Sequence, residues 1–558
     1  MFHRVSCFPF LFRRFLSLEG PSRHTSLLAR NWLVRPGSDR IALVRLGIDF
    51  GTTRTVVACA DRGNHPVVGF ADAAGDAAEW IPSIVAERDG ELRFGFDAAA
   101  VADDPSFAVV RSFKRLLSRP DATPLQTVAV GGTVLTLGDL MGRFLSYVRE
   151  ALVTCSDVRR SLARGQELEA AIAVPANAFG AQRFVTLDAF RRAGFRVTAM
   201  LNEPSAAGFE YTHRHRDTIS SRRDLVVVYD LGGGTFDASV VRMSGRRHDV
   251  LATAGVAQLG GDDFDLVLAS VALARAGLEL SALPARAAEH FLDQCRTAKE
   301  GLRPTSRKIT LDLEAALGKA APQPDIVIAV SDFYEACLPL VESSIRAMEP
   351  MMSRAEDDSR ELAEIAGLYV VGGASELPIV ARALRERFGR RVHRSPYPSA
   401  AVAIGLSIAA DGAAGLVVID RYARTFGVFR EGAAGHEITF DSIFASGTEL
   451  PPTAAGPFTS TRVYRAAHNV GHFRFFECSA VDEGGRPRGD MALFGDVYFP
   501  FDPTLSRADD LSSVPVERRL DDGPRIFEQY SLDENGIVDV LIRNIDSGYE
   551  RTYRLGRE

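Results

Sequence analysis

The chain has 558 residues, 46% hydrophobic and 25% charged, with 72 acidic against 65 basic side chains and a formal net charge of −7. That length exceeds what one hydrophobic core fills, so roughly two to four domains are expected. The acidic balance excludes a general nucleic-acid binder, which carries a basic face, and there is no run of about 20 apolar residues to cross a membrane.

Six cysteines, at 7, 59, 155, 295, 337 and 478, form neither a Cys-x-x-Cys pair nor a cluster with histidine. They read as reduced thiols of a cytoplasmic protein and support no disulfide framework or zinc site. Lysine is confined to Lys114, Lys299, Lys308 and Lys319, so a mechanism that needs an ammonium has few candidates.

Residues 1–40 hold seven arginines and two acids. Their apolar run, Phe8 to Phe12, is broken by Arg13 and Arg14 and is too short for a secretory signal. A disordered basic extension is expected there.

From 41 to 60 the sequence reads IALVRLGIDFGTTRTVVACA: an apolar strand, Asp49, the turn Gly51-Thr52-Thr53, and a second apolar strand. The hydroxyls and N–H groups of such a turn can hold terminal phosphates while the acid faces a metal. The pattern returns at 224–237 as DLVVVYDLGGGTFD. Leu225 to Tyr229 suit a fully buried strand, and Gly232, Gly233 and Gly234 let backbone N–H groups approach an anion closely. Asp230 enters this turn; Thr235 and Asp237 leave it. Two carboxylates around a phosphate-sized hollow call for a divalent cation, Mg²⁺ with several waters. One such turn alone reads equally well as a hairpin with capping acids. The pair implies two similar lobes closing on a nucleotide, with Asp49, Asp230 and Asp237 converging on one metal.

With both turns in place the sequence resembles the actin-like ATPase superfamily, and within it the DnaK-type seventy-kilodalton heat-shock chaperone family, from about 46 to 558. In Ile172-Ala-Val-Pro-Ala176 and Gly180-Ala-Gln-Arg183 the resemblance makes Pro175 and Arg183 relay residues between domains. Leu201-Asn-Glu-Pro-Ser-Ala-Ala207 is similar to the family's Asn-Glu-Pro-Thr-Ala-Ala segment, which puts Glu203 beside the attacking water; Pro204 suits a first helical turn that Asn202 or Ser205 can cap. The resemblance thus assigns catalysis to Glu203, Asp230, Thr235 and Asp237. Leu259-Gly-Gly-Asp-Asp-Phe-Asp265 resembles a phosphate-wrapping turn through Gly260 and Gly261. Gly372 and Gly373, in Leu368-Tyr-Val-Val-Gly-Gly-Ala374, resemble the turn beneath the adenosine, and Lys299 matches a lysine of the adenosine helix. Val402-Ala-Ile-Gly-Leu406 resembles the closing helix, where small residues indicate close packing. Leu416, Val417, Val418, Ile419 and Asp420 resemble the apolar interdomain linker, which can pair as an edge strand when docked.

Beyond Arg421, short alternating runs separated by Gly, Pro, Asn and Asp indicate an antiparallel β domain, with a hairpin at Asn535-Gly536. The expected organisation is a basic extension at 1–40, a two-lobed α/β actin-like ATPase domain at 41–410, a linker at 411–422 and an all-β sandwich at 423–558. The family's helical lid is not expected.

Three departures stand out. Aligned on Phe94-Gly95 and Phe113-Lys114-Arg115, the family's water-holding lysine falls near Ala99, with Arg88 or Arg93 as substitutes, and its loss predicts slow hydrolysis. The family's base-pocket acid and arginine are replaced by Arg296 and Glu376, which are expected to face each other as a pair. Glu300, Arg303 and Ala374 also depart from the pattern. The reading is an ATP-dependent chaperone that binds ATP or ADP with Mg²⁺ and takes extended apolar polypeptide as client. Co-chaperones or a nucleotide-exchange factor are its other partners. A nucleotide-binding scaffold with little turnover and a small-metabolite kinase are the alternatives.

Overall fold

In the first sheet, side-chain alternation decides what each strand serves. Arg45–Phe50 and Arg54–Cys59 pair antiparallel, with Ile48 opposite Val57 and Asp49 opposite Val56. Leu46, Ile48 and Phe50 point into a core shared with Phe144, Leu145 and Phe190 of helices Leu137–Thr154 and Gly180–Arg192. Leu168–Val174 lies parallel to the first strand and Phe195–Asn202 parallel to Leu168–Val174, with the short strand Ile81–Pro82 at the far edge.

The structure is a computed structural model that divides into two units, Met1–Ala42 and Leu43–Glu558. It describes residues 44–72, 74–162, 167–215, 219–220, 223–245, 247–357 (backbone only from 352), 365–412, 415, 417–432, 435–519 and 522–556. The expected extension at 1–40 and the linker residue Leu416 lie outside the described residues.

The second sheet repeats the arrangement. Leu225–Leu231 and Phe236–Ser244 form a hairpin with Asp230 opposite Asp237, and Ile365–Val371 runs parallel to the first of these. All seven residues of Leu225–Leu231 are buried, as a central strand covered on both faces requires. Leu225, Val227, Tyr229 and Leu231 face the helices of the second lobe. Val226 and Val228 face the opposite way, toward Ala206, Ala207 and Leu406.

Those last residues belong to helices Glu203–Arg214 and Ala401–Ala410, which lie backbone to backbone. A Cβ on Gly405 would stand 1.8 Å from the Ala206 carbonyl oxygen, and one on Gly47 would stand 2.2 Å from Ser407 N. The small residues of Ala401–Ala410 therefore serve contact between the two sheets. Asn202 occupies the N-cap position of Glu203–Arg214 but makes no side-chain cap, because its amide bonds Arg183 and Asp420 instead.

Val417–Ile419 adds to the edge of the second sheet, parallel to Arg247–Val256, with Val418 opposite His248. Two four-stranded sheets follow. One orders Glu437–Phe444, Thr425–Gly432, Val470–Val481 and Pro487–Pro500; the other Phe458–Arg465, Arg525–Leu532, Val538–Asn544 and Glu550–Arg554. They share one core, with Phe426, Phe475 and Phe499 from the first sheet and Tyr530 and Val540 from the second, which makes the region a β-sandwich. Leu532 pairs with Val538 across the Asn535-Gly536 turn, where Gly536 takes φ +75°. Among the described residues no helix is long and apolar enough to cross a membrane.

Gly405→Ala should destabilise the protein by about 1–3 kcal/mol through overpacking. Gly142→Ala, within helix Leu137–Thr154 and with nothing within 4 Å of the added methyl, should raise stability by about 0.5–1 kcal/mol. Thermal melts of the two variants check this; equal midpoints would remove the account of why the closing helix is built from small residues.

Candidate functional site

The two hairpin turns line one cavity of about 950 Å³. Asp49, Gly51, Thr52 and Thr53 line it from the first lobe, and Asp230, Gly232, Gly233 and Thr235 from the second. The turns touch: a Cβ on Gly233 would come within 2.8 Å of Thr53 and one on Gly234 within 2.8 Å of Thr52. Gly260 serves the same close approach, since its Cβ would lie 2.6 Å from the Gly233 backbone. There Gly261 N donates to Gly232 O at 2.9 Å and Asp262 N to Gly233 O at 2.8 Å. Gly261, Gly372, Gly373 and Lys299 line the cavity, whereas Gly234 and Gly260 support the turns from behind.

The acids are not equivalent. Asp49 and Asp230 line the cleft. Asp237 sits behind Thr235, beside a cavity of about 20 Å³ that Pro175 and Asn177 also line, and accepts Ala176 N at 2.9 Å. Burial and the Glu203 charge push the Asp49 carboxyl up to about 7, against the pull of Lys114. Burial, then Glu203, does the same to Asp237, also to about 7, although Thr235 and the N–H groups of Ala176 and Asn177 hold it down. Asp230 is driven well above the usual carboxylate range by burial and by Glu203, Asp49 and Asp237. Four mutually repelling carboxylates make a site that attracts a cation, and an all-oxygen set suits a hard divalent ion. Among the described residues no three His, Cys, Asp or Glu side chains are placed to hold one ion directly. Mg²⁺, which keeps several of its waters, fits such a set.

One residue bears on the expectation of slow hydrolysis. Lys114 lines the cleft, is 4% exposed, and donates from Nζ to Glu203 Oε1 at 3.1 Å. It is presented by a 3-10 turn, Phe113–Ser118, entered through Ser112 in the left-handed region at φ 51°. From that turn the ammonium reaches the cleft. Ala99 ends helix Gly95–Ala99, is exposed, and lies outside the cleft lining. Arg88 and Arg93 stack on Phe107, their guanidinium carbons 4.4 and 4.9 Å from the ring. Ala99 thus brings no side chain to the cleft, and the ammonium found there is that of Lys114, fifteen residues further on.

The expected Arg296–Glu376 pair is corrected. Arg296 bonds Asp262, Asp265 and Asp293 at 3.1, 3.3 and 3.4 Å, because the helix Gly261–Arg275 beside it supplies nearer acids, and Glu376 remains exposed. Lys299 meets Asp265 at 2.6 Å and donates to Gly261 O at 2.6 Å. Sequence reasoning missed the pairs that cross the cleft: Arg54 to Glu300 at 2.6 Å, Arg111 to Asp293 at 2.8 Å, and Arg115 to Asp263 at 3.2 Å. Partners some 150–250 residues apart leave no local pattern.

Behind the cleft, Pro175 is buried at the end of Leu168–Val174. Arg183 donates to the Asn202 side chain and, at 3.0 Å, to Asn535 O of the β-sandwich. Asp420 accepts Asn202 N at 2.9 Å and its amide at 2.5 Å. Both converge on the residue next to Glu203. Glu477 of the sandwich accepts Gly180 N at 2.7 Å.

A family model described as Hsp70 protein matches residues 151–432. The chain is 34% identical over 535 residues to the "Chaperone protein HscA homolog" of Burkholderia multivorans, covering 92% of this chain and 78% of that protein. The homologs of the same name from Burkholderia ambifaria and Burkholderia mallei match at the same identity and coverage, over 541 and 535 residues.

The raised carboxyls give the cleft a pH signature. A carboxyl whose folded pKa lies above its unfolded value keeps a proton that the unfolded chain has released, so stability falls as pH rises between the two. For Asp49 and Asp237 that window runs from 3.8 to about 7. Melts in chelator, without nucleotide, should show Asp49→Asn gaining on the wild type as pH rises from about 5 to about 7. A difference that stays constant with pH would show that Asp49 is not held protonated.

Proposed function

Because the chain belongs to the Hsp70 family and is a chaperone of that type, we propose that it binds Mg²⁺–ATP in the cleft and hydrolyses it there. The nucleotide state would act through the 417–420 linker on a β-sandwich that holds extended apolar polypeptide. The first lobe and the second are then the halves of an actin-like ATPase domain, with boundaries near 41–410 and 423–558 for the two domains.

One observation carries the reading. Two glycine- and threonine-lined turns and one buried lysine face the same cavity as a set of carboxylates whose mutual repulsion that lysine only partly offsets. Free N–H groups of glycine turns take phosphate oxygens. Thr52, Thr53 and Thr235 add hydroxyls, and Lys114 adds an ammonium for the terminal phosphate. Mg²⁺, when bound near Asp49, Asp230 and Asp237, neutralises the phosphates. Glu203, oriented by Lys114, holds the attacking water. Gly372, Gly373 and Lys299 border the adenosine end.

Hydrolysis is proposed together with binding because Lys114 brings an ammonium into the cleft, although Ala99 stands where the family's lysine is expected. No observation favours a metabolite kinase. Arg183 and Asp420 meet at Asn202 between the cleft and the sandwich, and Pro175 lies beside Asp237; these are the residues through which the two would communicate. Co-chaperones and a nucleotide-exchange factor are the partners such a cycle needs. Free cysteines at 59, 155, 295, 337 and 478 support a reducing compartment, the cytoplasm.

Single-turnover hydrolysis of ATP with Mg²⁺, read beside ATP affinity, tests the proposal. Lys114→Ala should lower the rate about 10²–10³-fold, the usual cost of one preorganised transition-state contact, while ATP affinity changes much less. An unchanged rate would remove Lys114 from the chemistry, and absence of ATP binding by the wild type would remove the function.

A further inference from the structure

One buried cation belongs to none of the groups described so far. Arg424 stands at the start of the sandwich, four residues after Asp420, and is 1% exposed. Its guanidinium carbon lies 4.1 Å from the centre of the Phe179 ring, and Nη1 donates to Asn177 Oδ1 at 3.3 Å. Within the sandwich Nη1 meets Asp490 Oδ2 at 3.1 Å and Nη2 donates to Asp490 O at 2.9 Å. Nε is buried without a hydrogen-bond partner. Arg424 thus has one anchor in its own domain and two contacts on the other.

The two outer contacts belong to a turn hung from the cleft. Asp237 accepts the N–H groups of Ala176, at 2.9 Å, and of Asn177. Packing leaves little slack: a Cβ on Gly255 would lie 3.0 Å from Asp237 Oδ1 and 3.3 Å from Asn177 Cβ. Asp237 also bonds Thr235 of the glycine turn. A change in how the cleft engages Asp237 therefore shifts the 176–179 turn and, with it, the acceptor and the ring that Arg424 touches.

We propose that Arg424 is a positioning residue that reads the 176–179 turn for the β-sandwich, and so sets how strongly the cleft controls polypeptide release. This rests on the function proposed above. Its energetic logic is a thin balance. A buried guanidinium with one unpartnered N–H is held only while Asn177 and Phe179 are in place, and water satisfies it when they withdraw. The Asp490 contact persists either way, so the side chain has two arrangements, which a coupling between sites requires.

The test measures release of a fluorophore-labelled peptide of alternating leucine and polar residues, with and without Mg²⁺–ATP. In Arg424→Leu, and in Asn177→Ala on the facing side, the acceleration by ATP should fall about fivefold or more, a typical coupling, while ATP affinity and nucleotide-free peptide affinity stay within about twofold. Arg424→Lys should be intermediate, since an ammonium keeps the charge but cannot stack and fork together. The double variant should lose no more than either single one. Retention of the wild-type acceleration in Arg424→Leu and Asn177→Ala overturns the proposal. An equal loss of nucleotide-free peptide affinity also overturns it, by marking a merely structural role. A wild type that ATP does not accelerate removes the function itself, and this inference with it.

Discussion

Like charges held out of water govern this structure. Asp49, Asp230 and Glu203 repel one another in a buried cleft, with Asp237 just behind it, and Lys114 offsets part of the repulsion on Asp49 and Asp230. In a medium of low effective dielectric such repulsion is far larger than at a surface. It persists because the surrounding fold over-determines it. Each acid is fixed to a strand, a turn or a helix start, and the two sheets that carry them are locked through helices in backbone contact. Arginines of the first lobe reach acids of the second around the rim. A ligand that brings positive charge, or that is negative and brings a cation with it, relieves what the fold sustains.

The same arrangement makes the cleft and the linker near neighbours. Glu203 faces the cavity, and the residue before it, Asn202, holds Asp420 and receives Arg183. One peptide bond separates the two environments. Burial pushes the Asp420 carboxyl up, against the pull of Arg183 and the N–H donors of Asn202 and Arg421. Polar groups in this seam are satisfied by partners from different parts of the chain, so the docked arrangement is specific in geometry and sensitive to loss of any one partner.

How much of this was legible in the sequence depended on distance along the chain. The two glycine turns could be read because strand, glycine and acid follow one another within about a dozen residues, where local periodicity carries the signal. The sandwich strands and the Asn535-Gly536 hairpin were legible for the same reason. That Lys114 enters the cleft could not be read, because it stands on a 3-10 turn entered through Ser112 in the left-handed region, a conformation that composition does not announce. Arg296 was given the wrong partner because the choice among Asp262, Asp265 and Glu376 is made by helix packing. Arg183 to Asn535, separated by 352 positions, is a product of domain docking, and nothing local encodes it.

The scarcity of lysine takes on a meaning once the structure is known. Of the four lysines in the chain, Lys114 and Lys299 line the cleft and Lys308 and Lys319 are exposed. Surface positive charge has passed almost wholly to arginine, while the enclosed positions keep the compact ammonium that a planar fork does not replace. Amine-directed chemistry on this molecule is therefore unusually informative. An acylating reagent meets Lys308 and Lys319 at the surface, together with the chain's α-amine, whereas Lys114 and Lys299 are enclosed at 4% and 8% exposure, so their labelling reports how far the cleft opens.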